Sequence, residues 1–241
     1  MKIRRLLTTI TVCFFLSLSC TMADNVPEIN PTAFYFSPDH EDEGEESVDF
    51  SGSAPLVGRF KANPKNIDGW TTYYEWRITH EGETTPFLVR YEEDTEYTFT
   101  ASGTHQIVLY AIFTRGSERI EYTEEYWRDY GALRVSISES RLEMPNAFSP
   151  NGDGINDLYK AKDYQSLTEF HAYIFNRWGQ KIFEWTDPSL GWDGTFHGKP
   201  AKEGVYFVLV KATGADGRKY NIRRDVNLLR GYTERSGSGT F

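Results

Sequence analysis

Apolar and polar positions alternate in short stretches along most of this chain. Tyr73-Tyr74-Glu75-Trp76-Arg77-Ile78 repeats with a period of two, as does Gln106-Ile107-Val108-Leu109-Tyr110-Ala111-Ile112-Phe113. Successive side chains of a strand point to opposite faces, so each stretch offers one apolar and one polar face. Tyr74 and Trp76 share one of those faces. Gly82, Pro86 and Ser102-Gly103 break the stretches where turns are needed. No segment keeps a helical period beyond two turns. Short strands with turn signals at these intervals predict an all-β chain of two consecutive immunoglobulin-like β-sandwich domains, at 48–140 and 141–231, with a flexible tail at 232–241.

The N-terminus follows a different pattern. Basic residues at Lys2, Arg4 and Arg5 precede an apolar run from Leu6 to Leu18 and small residues up to Cys20. This is the order of an export signal, assigned to residues 1–19, and the run falls short of the roughly twenty residues a membrane-spanning helix needs. Two cleavage readings stand side by side. Ser19-Cys20 reads as a lipoprotein junction with Cys20 as the lipidated residue, whereas Thr21-Met22-Ala23 suits a signal peptidase that releases a soluble product. Cys13 lies within the apolar run, so Cys20 would be the one cysteine of the mature chain and no disulfide is open to it. The chain must be held by its cores.

Charge narrows the range of partners. Cleavage after Ser19 removes Lys2, Arg4 and Arg5 and no acid, taking the net charge from −9 to −12. A chain this acidic lacks the basic face that nucleic acid requires. Within the acidic total, Asp39-His40-Glu41-Asp42-Glu43-Gly44-Glu45-Glu46 follows Pro27, Pro31 and Pro38. Like charges repel and bury little, so residues 20–47 read as an extended tether.

Two resemblances rest on longer motifs. Tyr74-x-Trp76, followed by Tyr97-Thr98-Phe99-Thr100-Ala101-Ser102-Gly103-Thr104-His105-Gln106-Ile107-Val108-Leu109, resembles the PKD-type immunoglobulin-like domain, in which a Trp on a central strand packs in the core. The Gly-Asp-Gly turn usual in that family is replaced here by Arg77-Ile78-Thr79-His80-Glu81-Gly82.

From Met144 to about Gly231 the chain resembles the gliding-motility-associated C-terminal domain, the type B sorting domain of type IX secretion. The matching motifs are Pro145-Asn146-Ala147-Phe148-Ser149-Pro150-Asn151-Gly152-Asp153-Gly154-Ile155-Asn156-Asp157, then Ile174-Phe175-Asn176-Arg177-Trp178-Gly179-Gln180-Lys181-Ile182-Phe183, Gly191-Trp192-Asp193-Gly194-Thr195 and Gly204-Val205-Tyr206-Phe207-Val208. The resemblance implies a secretion or surface-attachment role at the outer membrane or cell surface, with export machinery as partner. A lipid-anchored adhesive or structural protein that binds a surface protein or glycan is the other reading.

Site chemistry is sparse. Asn151, Asp153 and Asp157 stand at alternate positions with the Ile155 carbonyl between them, a spacing that brings hard oxygens toward one cation such as calcium. An EF-hand is excluded by Asn156 at the sixth position and Lys162 at the twelfth. Asx turns, in which these side chains bond their own backbone, account for the same residues. Asn176-Arg177-Trp178-Gly179 reads as a hairpin turn with Gly179 at positive φ, and Trp178 and Trp192 as structural residues packed in the turn and core. His40, His80, His105, His171 and His197 show no ligand spacing, and no nucleophile or phosphate-cradling motif is present. The expectation is a protein without catalytic activity.

Overall fold

A computed structural model describes residues 26–231, so the export signal, Cys20 and the tail at 232–241 lie outside the described residues. The fold is all-β, with one helix of two turns among the described residues. No described helix is long and apolar enough to cross a membrane.

The first sandwich contains β1 (Thr32–Ser37), β2 (His40–Glu46), β3 (Asp49–Gly52), β4 (Leu56–Lys61), β5 (Thr71–His80), β6 (Leu88–Arg90), β7 (Thr95–Phe99), β8 (Gly103–Arg115), β9 (Glu118–Tyr122), α1 (Glu124–Tyr130) and β10 (Leu133–Ile137). One sheet has the order β2-β1-β4-β7 and the facing sheet β3-β10-β8-β5-β6, with β9 also paired to β8. Tyr35, Phe60 and Phe99 from the first sheet meet Trp76, Ile78, Leu109 and Val135 from the second in one core. Trp76 is 1% exposed, and its indole Nε1 donates to the Glu93 carbonyl at 3.0 Å.

Residues 32–46 depart from the expected tether. They pair as a hairpin, β1 hydrogen-bonds β4, and Ala33, Tyr35 and Phe36 are buried, so the first sandwich begins well before Val48. The acidic stretch forms the exposed edge strand β2, where Arg59 bonds Glu41 at 2.7 Å. Charge on an edge strand blocks pairing with other chains, which gives this run a place in a sheet.

The second unit contains β11 (Arg141–Glu143), β12 (Ala147–Phe148), β13 (Asp163–Gln165), β14 (Leu167–Phe175), β15 (Lys181–Trp185), β16 (Thr195–Phe196), β17 (Lys199–Pro200), β18 (Gly204–Gly214) and β19 (Lys219–Leu228). Its main sheet has the order β12-β19-β18-β14-β15. The inner face of that sheet (Ala172, Ile174, Val208, Val210, Val226) packs with Met144, Phe148, Tyr159, Ala161 and Trp192 from the segments that cross over it. The two-stranded sheets β11-β13 and β16-β17 brace those segments.

The junction between the two cores is packed. Ser166 Oγ accepts a hydrogen bond from Ala54 N at 3.2 Å and lies 2.7 Å from Ser138 Oγ. Ala215, in the β18-β19 turn, accepts from Ser102 N at 3.1 Å and touches the first core. Ser140 is buried, and its Oγ donates to Asp216 at 2.7 Å. The close approach depends on Gly214, where an added Cβ would collide with Ser140 Oγ.

Candidate functional site

The signature loop is anchored by aromatics at both ends. Phe148, 2% exposed, lies 5.7 Å from the Tyr159 ring and 5.3 Å from Trp192. Tyr159 and Trp192 exchange backbone hydrogen bonds at 2.9 and 3.1 Å. Gly191 makes that bridge possible, because a Cβ there would stand 2.5 Å from the Tyr159 carbonyl oxygen. The Tyr159 hydroxyl donates to the Pro145 carbonyl at 3.0 Å, and burial raises its pKa. Trp192 stacks edge-on against Tyr206 at 4.9 Å, and its Nε1 donates to the Thr195 carbonyl at 2.7 Å. Residues from three of the four sequence motifs thus meet in one cluster.

Between these anchors the loop 149–157 bonds to itself. Asp157 Oδ1 accepts from the Asn151 and Gly152 amides at 2.9 and 2.8 Å, and its Oδ2 accepts from the Gly154 amide at 2.8 Å. Asn151 Oδ1 takes the Asp153 amide at 3.0 Å, and Asp153 Oδ1 takes the Ile155 amide at 2.9 Å. Asn151 Nδ2 donates to Asp153 Oδ2 at 3.0 Å. Gly152 and Gly154 sit at φ of 83° and 84°, which turns their amides toward the carboxylate. The Gly152 and Gly154 amides hold the Asp157 carboxyl below its ordinary pKa.

The structure therefore brings Asn151, Asp153, Ile155 and Asp157 together as linked Asx turns, with the four carboxylate oxygens aimed at N–H donors of the same loop. A calcium ion at this spacing would share every one of those oxygens with a donor. Among the described residues, no cluster of three or more His, Cys, Asp or Glu side chains is arranged to hold a metal.

Sequence reasoning missed Arg230. Its guanidinium donates to three carbonyls, Pro150 at 3.2 Å, Gly194 at 2.7 Å and Ala201 at 3.1 Å. Glu203 accepts from the Arg230 and Gly231 amides, fixing the backbone that presents the guanidinium. One side chain just past the last strand thus ties the signature loop to the segment carrying Trp192. A single Arg beyond a strand gives no signal in a sequence, since its partners are backbone carbonyls from three distant segments.

The fourth motif adds Ile174 to the same core, but its turn between β14 and β15 lies apart from this cluster. Asn176 Oδ1 accepts from the Trp178 and Gln180 amides at 3.0 and 3.1 Å, and Gly179 has φ 78°. Trp178 corrects the expectation of a packed structural role. It is 75% exposed, with the Arg177 guanidinium 4.3 Å from its ring as the contact that shields it. The Asn176 bonds hold the turn by themselves and leave the indole projecting from its tip. Trp192, by contrast, is fully buried.

No curated protein matches the chain. Among solved structures, the crystal structure of dimeric latent PorU from Porphyromonas gingivalis is similar at 11% identity with a TM-score of 0.25. That match covers 89% of this chain and 21% of the other, so the chain spans about a fifth of that protein's length. At the level of families, residues 142–223, which hold all four motifs and about a third of the chain, match the CHU_C Type IX secretion signal domain.

Proposed function

We propose that this is an exported cell-envelope protein without catalytic activity, whose segment from Leu142 onward presents it to the type IX secretion machinery for transfer to the outer membrane or cell surface. The family match at 142–223 is the observation that carries this reading. The convergence of Phe148, Tyr159, Trp192 and Tyr206 supports it, since most of the matched motifs form one folded unit that a receptor meets intact. The first sandwich, read as a PKD-type immunoglobulin-like domain around Trp76, is then the carried part. The test is to fuse residues 138–241 to a secreted fluorescent reporter in a bacterium with a type IX translocon. The reporter should reach the surface or medium, and should stay in the periplasm when the translocon is deleted or when the segment is omitted. Periplasmic retention of the intact fusion would overturn the reading.

A second reading is a lipid anchor at Cys20 with an adhesive or spacer role toward a surface protein or glycan. It rests on the placement of Cys20 at the end of the export signal. Labelling with a clickable fatty acid should mark the wild-type chain and spare Cys20→Ala.

A further inference from the structure

The outer face of the main C-terminal sheet breaks the alternation that a solvated face requires. An antiparallel sheet with one face in water carries polar residues there. At one end this sheet does so, with Glu169 and His171 on β14, Lys211 and Thr213 on β18, and Asn221 on β19 facing outward. At the other end the central positions are apolar. Phe175 pairs with Phe207 and Tyr173 with Leu209 across β14 and β18, with Val205 next along β18. Phe207 is 43% exposed and Val205 48%, and Trp178 projects from the β14-β15 turn that continues the same end of the sheet.

Four charges flank this apolar band at their register positions, and two of them, Lys181 and Glu184, bond each other at 2.7 Å along the β15 edge. In the row of Tyr173 and Leu209 the outer positions are Glu184 on β15 and Arg223 on β19. In the row of Phe175 and Phe207 they are Lys181 and Asp225. The signs alternate around the band as on a checkerboard: minus and plus in one row, plus and minus in the next.

Such a face is complementary to itself. Place a second copy against it, related by a two-fold axis lying in the interface and parallel to the strands. Glu184 then faces the other copy's Arg223, Lys181 faces its Asp225, Phe175 faces Phe207 and Tyr173 faces Leu209. With the axis across the strands instead, Glu184 faces Lys181 and Arg223 faces Asp225. Either arrangement sets opposite charges together around an apolar centre, which is the anatomy of an isologous contact with a polar rim. An unrelated partner would need only one matching pattern of charge, whereas a pattern that matches under both in-plane axes fits its own copy.

We infer that the exported chain self-associates through this face as a two-fold dimer, two C-terminal sheets packed face to face. Four strands at about 4.8 Å and three rows of outward residues give a footprint of roughly 400 Å² per copy. That is about half the 800 Å² per partner of a typical stable complex, so the dimer is weak and concentration-dependent. Self-association is independent of whether the segment sorts the chain.

Sedimentation velocity of the exported chain carrying Cys20→Ser, at about 0.15 M salt and from about 1 to 300 µM, brackets the affinity such a footprint supports. The sedimentation coefficient should rise with concentration toward the dimer value. Phe207→Asp and Arg223→Glu should each weaken the association at least about tenfold. Arg223→Glu with Glu184→Arg should restore it if the axis runs along the strands. Arg223→Glu with Asp225→Arg should restore it if the axis runs across them. Arg223 is exposed, so its reversal keeps the test open should Phe207→Asp fail to fold. A monomer at every concentration overturns the inference and leaves the face to another partner. A dimer indifferent to both single substitutions also overturns it.

Discussion

Ser140 donates a 2.7 Å hydrogen bond to Asp216, joining the segment that links the two cores to the hairpin turn at the far end of β18. Asp216 also accepts from the Ser140 and Arg218 amides at 3.3 and 3.1 Å, and the Ser140 hydroxyl holds its carboxyl below the ordinary pKa. Ser140 Oγ lies 2.9 Å from the Tyr220 hydroxyl as well. The linking segment is therefore clamped from one side by the C-terminal unit.

That clamp predicts resistance to proteolysis at the junction. A protease needs an extended, accessible stretch of backbone, whereas Ser138 and Ser140 are hydrogen-bonded and Arg141–Glu143 are paired in a sheet. Limited digestion should leave this stretch intact, while Asp216→Ala should open it to cleavage. The protection should also fade in acid. A depressed carboxyl pKa favours the folded state above the unfolded value near 4 and loses that contribution as pH falls through the folded value. Rapid cutting of the wild-type chain between 138 and 144 at neutral pH would show the clamp to be open in solution.

Arg230 predicts where the C-terminal unit ends. Removing the guanidinium leaves the Pro150, Gly194 and Ala201 carbonyls without their charged donor, at a cost of about 1.5–3 kcal/mol. Urea unfolding of Arg230→Ala should show a lower midpoint at an unchanged slope. Arg230→Lys should recover part of the loss, since an ammonium cannot span three carbonyls as a planar fork does. Wild-type stability in the alanine variant would mean that water replaces the guanidinium freely.

The contrast between these residues and the strands shows what a sequence exposes. The alternation around Trp76 and Leu109 is local, so the order of residues alone marks β5 and β8, and Asp216-Gly217 marks the β18-β19 turn. Strand β2 has no such mark, because both its faces are exposed and its extended form comes from pairing with β1. Charge repulsion makes the same residues read as a tether. The Asn151–Asp157 loop is legible down to its side-chain oxygens, but their direction is set by backbone amides that Gly152 and Gly154 aim, and spacing alone leaves two readings open. Trp178 and Trp192 look alike in sequence, yet the bridge to Tyr159 and the Phe148 and Tyr206 rings bury one, while the Asn176-held turn exposes the other.

His105 makes the first sandwich sensitive to mild acid. It is 2% exposed, packed among His80, Phe87 and Phe99, with Nε2 3.5 Å from the Ala101 carbonyl and Nδ1 without a hydrogen-bond partner among the described residues. Burial lowers its pKa, aided by His80. The unfolded chain takes up a proton from about pH 6.5 downward while the folded chain does not. Stability should therefore fall as pH drops below about 6.5 and level off once the folded pKa is passed. Denaturant unfolding near pH 7.5 and 5.5 should show this loss in the wild type, and His105→Phe should flatten it. An equal loss in the variant would assign the effect to other groups.

The signature loop separates two physical accounts through Asp157. In the geometry described, its carboxylate closes the loop by accepting three backbone amides and has no need of a cation. Asp157→Asn keeps the shape but removes the charge and one acceptor oxygen, so melting of the chain should shift downward. The difference from wild type should hold at neutral pH and shrink below about pH 4, because the depressed carboxyl contributes only while ionised. Asp153→Ala should cost less, since Asp153 accepts one backbone amide where Asp157 accepts three. Millimolar calcium and its removal by chelator should leave the wild-type melting temperature in place. The cation account makes the opposite demand: a ligand bound only to the folded state raises stability with its concentration, by about 2.7 kcal/mol at a hundredfold excess over Kd. An upward shift with calcium that disappears in both Asp153→Ala and Asp157→Asn would replace the Asx-turn account with a metal site built from the same oxygens.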